Sequence, residues 1–106
     1  MQQIESLGLN DCALNDTDLE WLSSVSNLQQ LNIGGNLIGD KTIETLLSMP
    51  NLKRLYIYRT AITDEGFEKL VADRRLSLIS IAETKVSKET IQRVRGEQRN
   101  LTIIEK

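Results

Sequence analysis

Apolar side chains recur along this chain on a fixed beat. Segments 4–27, 28–51 and 52–75 each hold 24 residues and align without gaps. Within each, apolar residues fall at positions 1, 4, 6, 11, 16 and 19; in the second segment these are Leu28, Leu31, Ile33, Ile38, Ile43 and Leu46. The spacing of two between Leu31 and Ile33 predicts a strand, and the spacing of three between Ile43 and Leu46 predicts a helix. Each unit is therefore expected to be a strand, a turn and a helix. A fourth unit, 76–100, reads as 25 residues with one extra in its closing loop, and 101–106 begins a fifth that stops after its strand. All of it reads as a single domain. Position 12 holds Asn15, Gly39, Thr63 and Ser87, all suited to capping a helix. Position 13 holds Asp16, Asp40 and Asp64, acids placed where the helix dipole favours them, with Lys88 as the exception. Gly96 is expected to end the last helix in a left-handed conformation.

The frame LxxLxLxx(N/C/T)x(I/L/V), followed by a more variable half, resembles the leucine-rich-repeat family. The segment TAITDEGF at 60–67 is similar to 24-residue repeats of bacterial multi-repeat proteins and to the cysteine-containing repeats of F-box-associated ubiquitin-ligase receptors. The resemblance implies an α/β fold: a right-handed leucine-rich-repeat solenoid bent into a horseshoe, with a parallel sheet on its concave face and helices on the convex one. It also implies a ladder at position 9, occupied by Cys12, Asn36, Thr60 and Thr84, whose buried side chains bond turn backbone; Cys12 is expected to be buried there. Function does not follow from the scaffold, because sites are grafted onto it.

Binding chemistry is sought at the positions the pattern leaves free. Positions 3, 5 and 7 of each strand should point away from the core, since strand side chains alternate. Across the units these are Ser6, Gly8 and Asn10; Gln30, Asn32 and Gly34; Arg54, Tyr56 and Tyr58; Leu78, Ser80 and Ala82. Tyr56 and Tyr58, the only tyrosines, share one face with Arg54 in line and Arg59 at the rim. Small neighbours, including Asn32 and Ser80, should leave grooves beside the rings. Strand propensity alone also favours tyrosine, but Tyr and Arg are the types that dominate interface hot spots. The expected site is a protein-binding one of Arg54, Tyr56, Tyr58, Arg59, Asn32 and Ser80, and an acidic or amide-rich partner segment suits its arginines. Trp21, at a position where other units carry Thr45, Lys69 and Arg93, should face solvent; either it folds over the N-terminal end of the core or it meets another chain.

Composition narrows the function. With no histidine and one cysteine, the usual triads and zinc sites are excluded. GGNLIGDK at 34–41 lacks the ending of a phosphate-binding loop. No enzyme, metal or cofactor is expected. Arg74, Arg75, Arg93, Arg95 and Arg99 gather near the loops closing units three and four, yet Asp73, Glu89 and Glu97 are interspersed, which argues against nucleic acid. The absence of a membrane-length apolar run or a signal-peptide pattern points to no membrane insertion and a cytoplasmic protein. Residues 1–51 carry seven acids against one base, net −6, and 52–106 carry eight acids against twelve bases, net +4. Together with ends that have little room for caps, this suggests a second role, as an assembly domain of a larger protein or a homo-oligomer joined through those ends.

Overall fold

The computed structural model describes residues 5–25 and 27–106; Ile4, expected on the core side of the first strand, lies outside the described residues. In order, the elements are β1 (Ser6–Gly8), a 3-10 helix (Thr17–Ser24), β2 (Gln30–Asn32), α1 (Lys41–Leu47), β3 (Arg54–Tyr56), α2 (Asp64–Ala72), β4 (Leu78–Ser80), α3 (Lys88–Glu97) and β5 (Thr102–Ile104). The fold is α/β. Its five strands form one parallel sheet in sequence order, every pair offset by 24 residues: Leu7 beside Leu31, Leu55, Ile79 and Ile103 in turn. Each strand has three residues, but backbone pairing continues past them. The N–H groups of Asp11, Gly35 and Arg59 donate to Gly34, Tyr58 and Ala82 oxygens at 2.8–2.9 Å. That pairing is made from left-handed backbone, with φ of 57° at Asp11, 69° at Gly35, 49° at Arg59 and 57° at Glu83.

One face of the sheet is covered. Leu31 and Ile33, Leu55 and Ile57, and Ile79 and Ile81 belong to one buried cluster with Ile43 and Leu46 of α1, Phe67 and Leu70 of α2, and Ile91 and Val94 of α3. No unit could shield these side chains alone. Burying each against the next contributes about 1.5–3 kcal/mol per large side chain.

Polar side chains occupy two rows, the first of which joins units only through Asn36. Asn36, 4% exposed, accepts at Oδ1 from the Cys12 and Leu14 N–H groups (3.1 and 3.0 Å) and donates from Nδ2 to the Leu9, Ile33 and Gly34 carbonyls (3.0, 2.9 and 3.3 Å). Thr60 and Thr84 occupy the equivalent position but donate only within their own turns, to Ile57 and Ile81. Cys12 is exposed, contrary to expectation, and its thiol contacts only its own Asn10 carbonyl at 3.4 Å. Only the longer carboxamide of Asn36 reaches the preceding turn; the short Cys12 thiol, like the Thr60 and Thr84 hydroxyls, bonds within its own turn.

The second row lies at position 13. Asp16 accepts from Gly39 N–H (3.1 Å) and the Thr42 hydroxyl, Asp40 from Thr63 N–H (2.9 Å) and hydroxyl, and Asp64 from Ser87 N–H (2.6 Å) and hydroxyl (2.9 Å). These acids tie each unit to the next as well as meeting a helix dipole. The Ser87 bond is the main cause holding the Asp64 carboxyl below the usual aspartate value of 3.8. Of the expected caps, Asn15 accepts from Asp18 N–H and Ser87 from Thr90 N–H, whereas the Thr63 hydroxyl is turned to Asp40.

Three further expectations are corrected. The first helix is 3-10, and the Ser23 and Ser24 hydroxyls bond the Glu20 and Trp21 carbonyls three residues back (3.1 and 2.7 Å). Gly96 lies inside α3, which runs on to Glu97 and ends at Gln98 in extended-side backbone, so it is no left-handed terminator. The fourth unit keeps the 24-residue offset in the sheet, so Ile103 rather than Ile104 takes the core position.

The two sheet edges differ. At β5, Arg95 donates to the Ile103 carbonyl (2.8 Å) and pairs with Glu105 (3.0 Å), covering an edge expected to be bare. At β1, Leu7, Leu9, Leu14 and Val25 are only partly buried.

Candidate protein-binding surface

Alternation along β3 places its side chains on two faces. Leu55 and Ile57 are fully buried, so Arg54, Tyr56 and Tyr58 stand on the face opposite the helices. Arg54 lies in a row with Gln30 and Leu78, and Tyr56 in a row with Asn32 and Ser80. Both tyrosines are half-buried, and among the described residues neither hydroxyl has a hydrogen-bond partner.

The grooves expected beside the rings are partly filled. A Cβ added at Gly34 would sit 2.5–2.6 Å from the Tyr58 ring, so that ring lies directly on the glycine. Ser80 is 6% exposed, between Tyr56 and Ile104 in the register, and is not a free contact residue. A small side chain flanked by two large ones on one face is shaded by both. Asn32 is half-buried and accepts at Oδ1 from Gly34 N–H (3.1 Å).

Arg59 is also engaged. Its guanidinium carbon lies 5.5 Å from the Tyr58 ring centroid, and Nη2 reaches the Asp11 carboxylate at 3.3 Å. Asp11 lies in the first unit and Arg59 in the third, so the pair spans the second at Gly35, where an added Cβ would meet Asp11 Oδ1 at 2.0 Å. The Gly34–Gly35 pair thus forms a saddle for the Tyr58 ring and the Arg59–Asp11 pair. With both partners about half exposed, this ion pair is worth under about 1 kcal/mol.

Trp21 is 50% exposed beside the buried Leu19 and Leu22, on the solvent side as its spacing requires; it shields the N-terminal end of the core at most in part. Leu37, 71% exposed, is a contact candidate that the sequence reasoning passed over. It shares a shallow depression with Arg59, Thr60, Ala61 and Lys85. Its signal was legible: position 10 reads Ala13, Leu37, Ala61 and Lys85, and Leu37 is the one large apolar residue in that series.

The basic cluster is largely consumed internally. Arg75 bonds Asp73, the Leu47 carbonyl (2.8 Å) and the Met49 carbonyl, and its bond is the main cause lowering the Asp73 carboxyl. Arg93 pairs with Glu68 and Glu97, and Arg74 donates to the Glu97 carbonyl. Among the described residues, no three His, Cys, Asp or Glu side chains gather as metal ligands, and no helix is long and apolar enough to cross a membrane. Neither a protein-family model nor a curated protein matches this chain.

Proposed function

We propose that this chain is a leucine-rich-repeat solenoid acting as a non-enzymatic, cytoplasmic protein-interaction module, with its partner docked on the open sheet face around β3. The observation that carries the reading is the pair of half-buried tyrosines, hydroxyls unpartnered among the described residues, one on the middle strand and one just past it, on the sheet face opposite the covered one. Such rings offer large rigid contact area at small entropic cost. The repeat itself supports family membership: the offset of 24 residues at every strand pair, the row of acids at position 13 and Asn36 at position 9 serve unit-to-unit stacking. Leu37, next to Arg59, extends the surface beyond the strands.

Affinity capture with the wild type and with Tyr56→Ala plus Tyr58→Ala tests the site. Loss of two anchors worth about 2 kcal/mol each should weaken partner binding by about 10³-fold. Both proteins should unfold cooperatively. Undiminished capture by the folded double variant would remove β3 from the interface.

A second reading, assembly through the ends, is favoured by the partly buried Leu7, Leu9, Leu14 and Val25 beside β1 and by the acidic first half. The Arg95 bond at β5 works against it on the other side. Sedimentation across a concentration series that finds only monomer removes self-assembly.

A further inference from the structure

At the N-terminal ends of the strands the open face carries a second feature. The backbone there repeats one arrangement: the carbonyls of Glu5, Gln29 and Lys53 each accept from two successive N–H groups of the next unit. The side chains at these places line a polar trough of about 380 Å³ formed by Glu5, Gln29, Gln30, Lys53, Arg54 and Ser77 with Ser6. Its basic groups are uncommitted. Arg59, Arg74, Arg75, Arg93 and Arg95 all bond within the protein, whereas among the described residues the side chains of Lys53 and Arg54 have no bonding partner. Two adjacent cations face one acid, Glu5, so the trough carries one net positive charge.

We propose that Lys53 and Arg54 receive a carboxylate from an acidic peptide segment of the partner. This deepens the reading of the open face as protein-binding and rests on it. One carboxylate balances the trough. The guanidinium offers a planar fork for a bidentate pair, and the ammonium beside it a third charged donor. Gln29 and Gln30 supply amides for the peptide backbone on either side, and Ser77, whose hydroxyl donates to the Lys53 carbonyl (3.2 Å), supplies an acceptor. Glu5 disfavours a doubly charged phosphate more than a singly charged carboxylate. Running from Arg54 to Tyr56 along one strand face, the segment would place its acid at the trough and its apolar part on the rings.

Titrating isotope-labelled protein with acetylated, amidated tetraglutamate, and following backbone amide resonances, reads the site directly. The expected result is saturable shifts confined to residues 29–30, 53–54 and 77. Lys53→Gln plus Arg54→Gln should weaken binding at least tenfold, Arg54→Lys less so, and Arg99→Gln, at another unpaired arginine, not at all. Since neither side chain has a bonding partner among the described residues, the double Gln variant should unfold at the wild-type temperature. Shifts spread equally to Arg99 and Lys88, no saturation, unchanged affinity in the double variant, or equal displacement by inorganic phosphate at matched ionic strength would each overturn the proposal. Tyr56→Ala plus Tyr58→Ala separates the two ideas. If that variant loses the partner while tetraglutamate fails to map to the trough, the carboxylate receptor falls and the interaction surface stands.

Discussion

Tyr58 and Arg59, where the chain leaves β3, are folded back onto the two preceding units, while the side chains of Lys53 and Arg54, where it enters, have no bonding partner among the described residues. Both ends pair an arginine with a polar or aromatic neighbour, and by residue type they look alike. Their difference comes from what the neighbouring unit places beneath them. Gly34 and Gly35 open a saddle for the ring and let Asp11 approach; Gln29 and Gln30 line the trough at the other end with neutral amides. Hot-spot residue types therefore identify a strand worth testing, and occupancy by the protein's own groups decides which end of it is free.

The comparison can be broken most severely at Asn36. Asn36→Ala strips five hydrogen bonds from the first two turns, including those holding Cys12 and Leu14 next to Asp11. It should cost about 3 kcal/mol, since buried backbone groups are left unpaired. In urea unfolding this should appear as a large drop in midpoint, with the trough resonances of Lys53 and Arg54 unmoved below the transition. A loss no larger than for Thr84→Ala, whose hydroxyl serves only its own turn, would show that the cross-unit bonds carry little.

Gly35→Ala acts next, at about 1–2 kcal/mol, from left-handed backbone strain and collision with Asp11. Adding Asp11→Ala should recover part of that loss because the collision vanishes. Strict additivity of the two changes would refute the saddle.

Acidification has the smallest effect and tests the frame on which both ends stand. The Asp64 carboxyl is held below its ordinary value, so its contribution is complete above 3.8 and is lost as pH falls through the folded-state value. Asp64→Asn can still accept from Ser87 N–H. It should lose less than about 1 kcal/mol at neutral pH and show a shallower decline between pH 5 and about 2. Parallel pH profiles for the two proteins would exclude Asp64 as a source of acid sensitivity.

Much of the frame was readable from spacing. Period two gave Leu31 and Ile33 as strand residues, period three gave Ile43 and Leu46 as helix residues, and both pairs are buried. Exposure is readable where a position is free in every unit, as at Trp21 and at position 10, where Ala13, Ala61 and Lys85 stand in line with Leu37. The misplaced residues were those whose surroundings change from unit to unit. Cys12 matches the ladder position by type, yet it is exposed and its thiol bonds only within its own turn. Ser80 alternates correctly outward and is buried by its flanking rows.

By itself the sequence determined the units, their strand and helix periods, the faces on which side chains stand and the absence of histidine chemistry, because these depend only on residue order and identity. The tertiary structure alone decided that Asp16, Asp40 and Asp64 bond across units, that Arg59 is taken up by Asp11, and that the Lys53 and Arg54 side chains find no partner among the described residues. These are contacts between residues 23 to 48 positions apart, or their absence. Period and propensity act along the chain, whereas pairing energy depends on which groups stacking brings within about 3 Å, a distance no local pattern encodes.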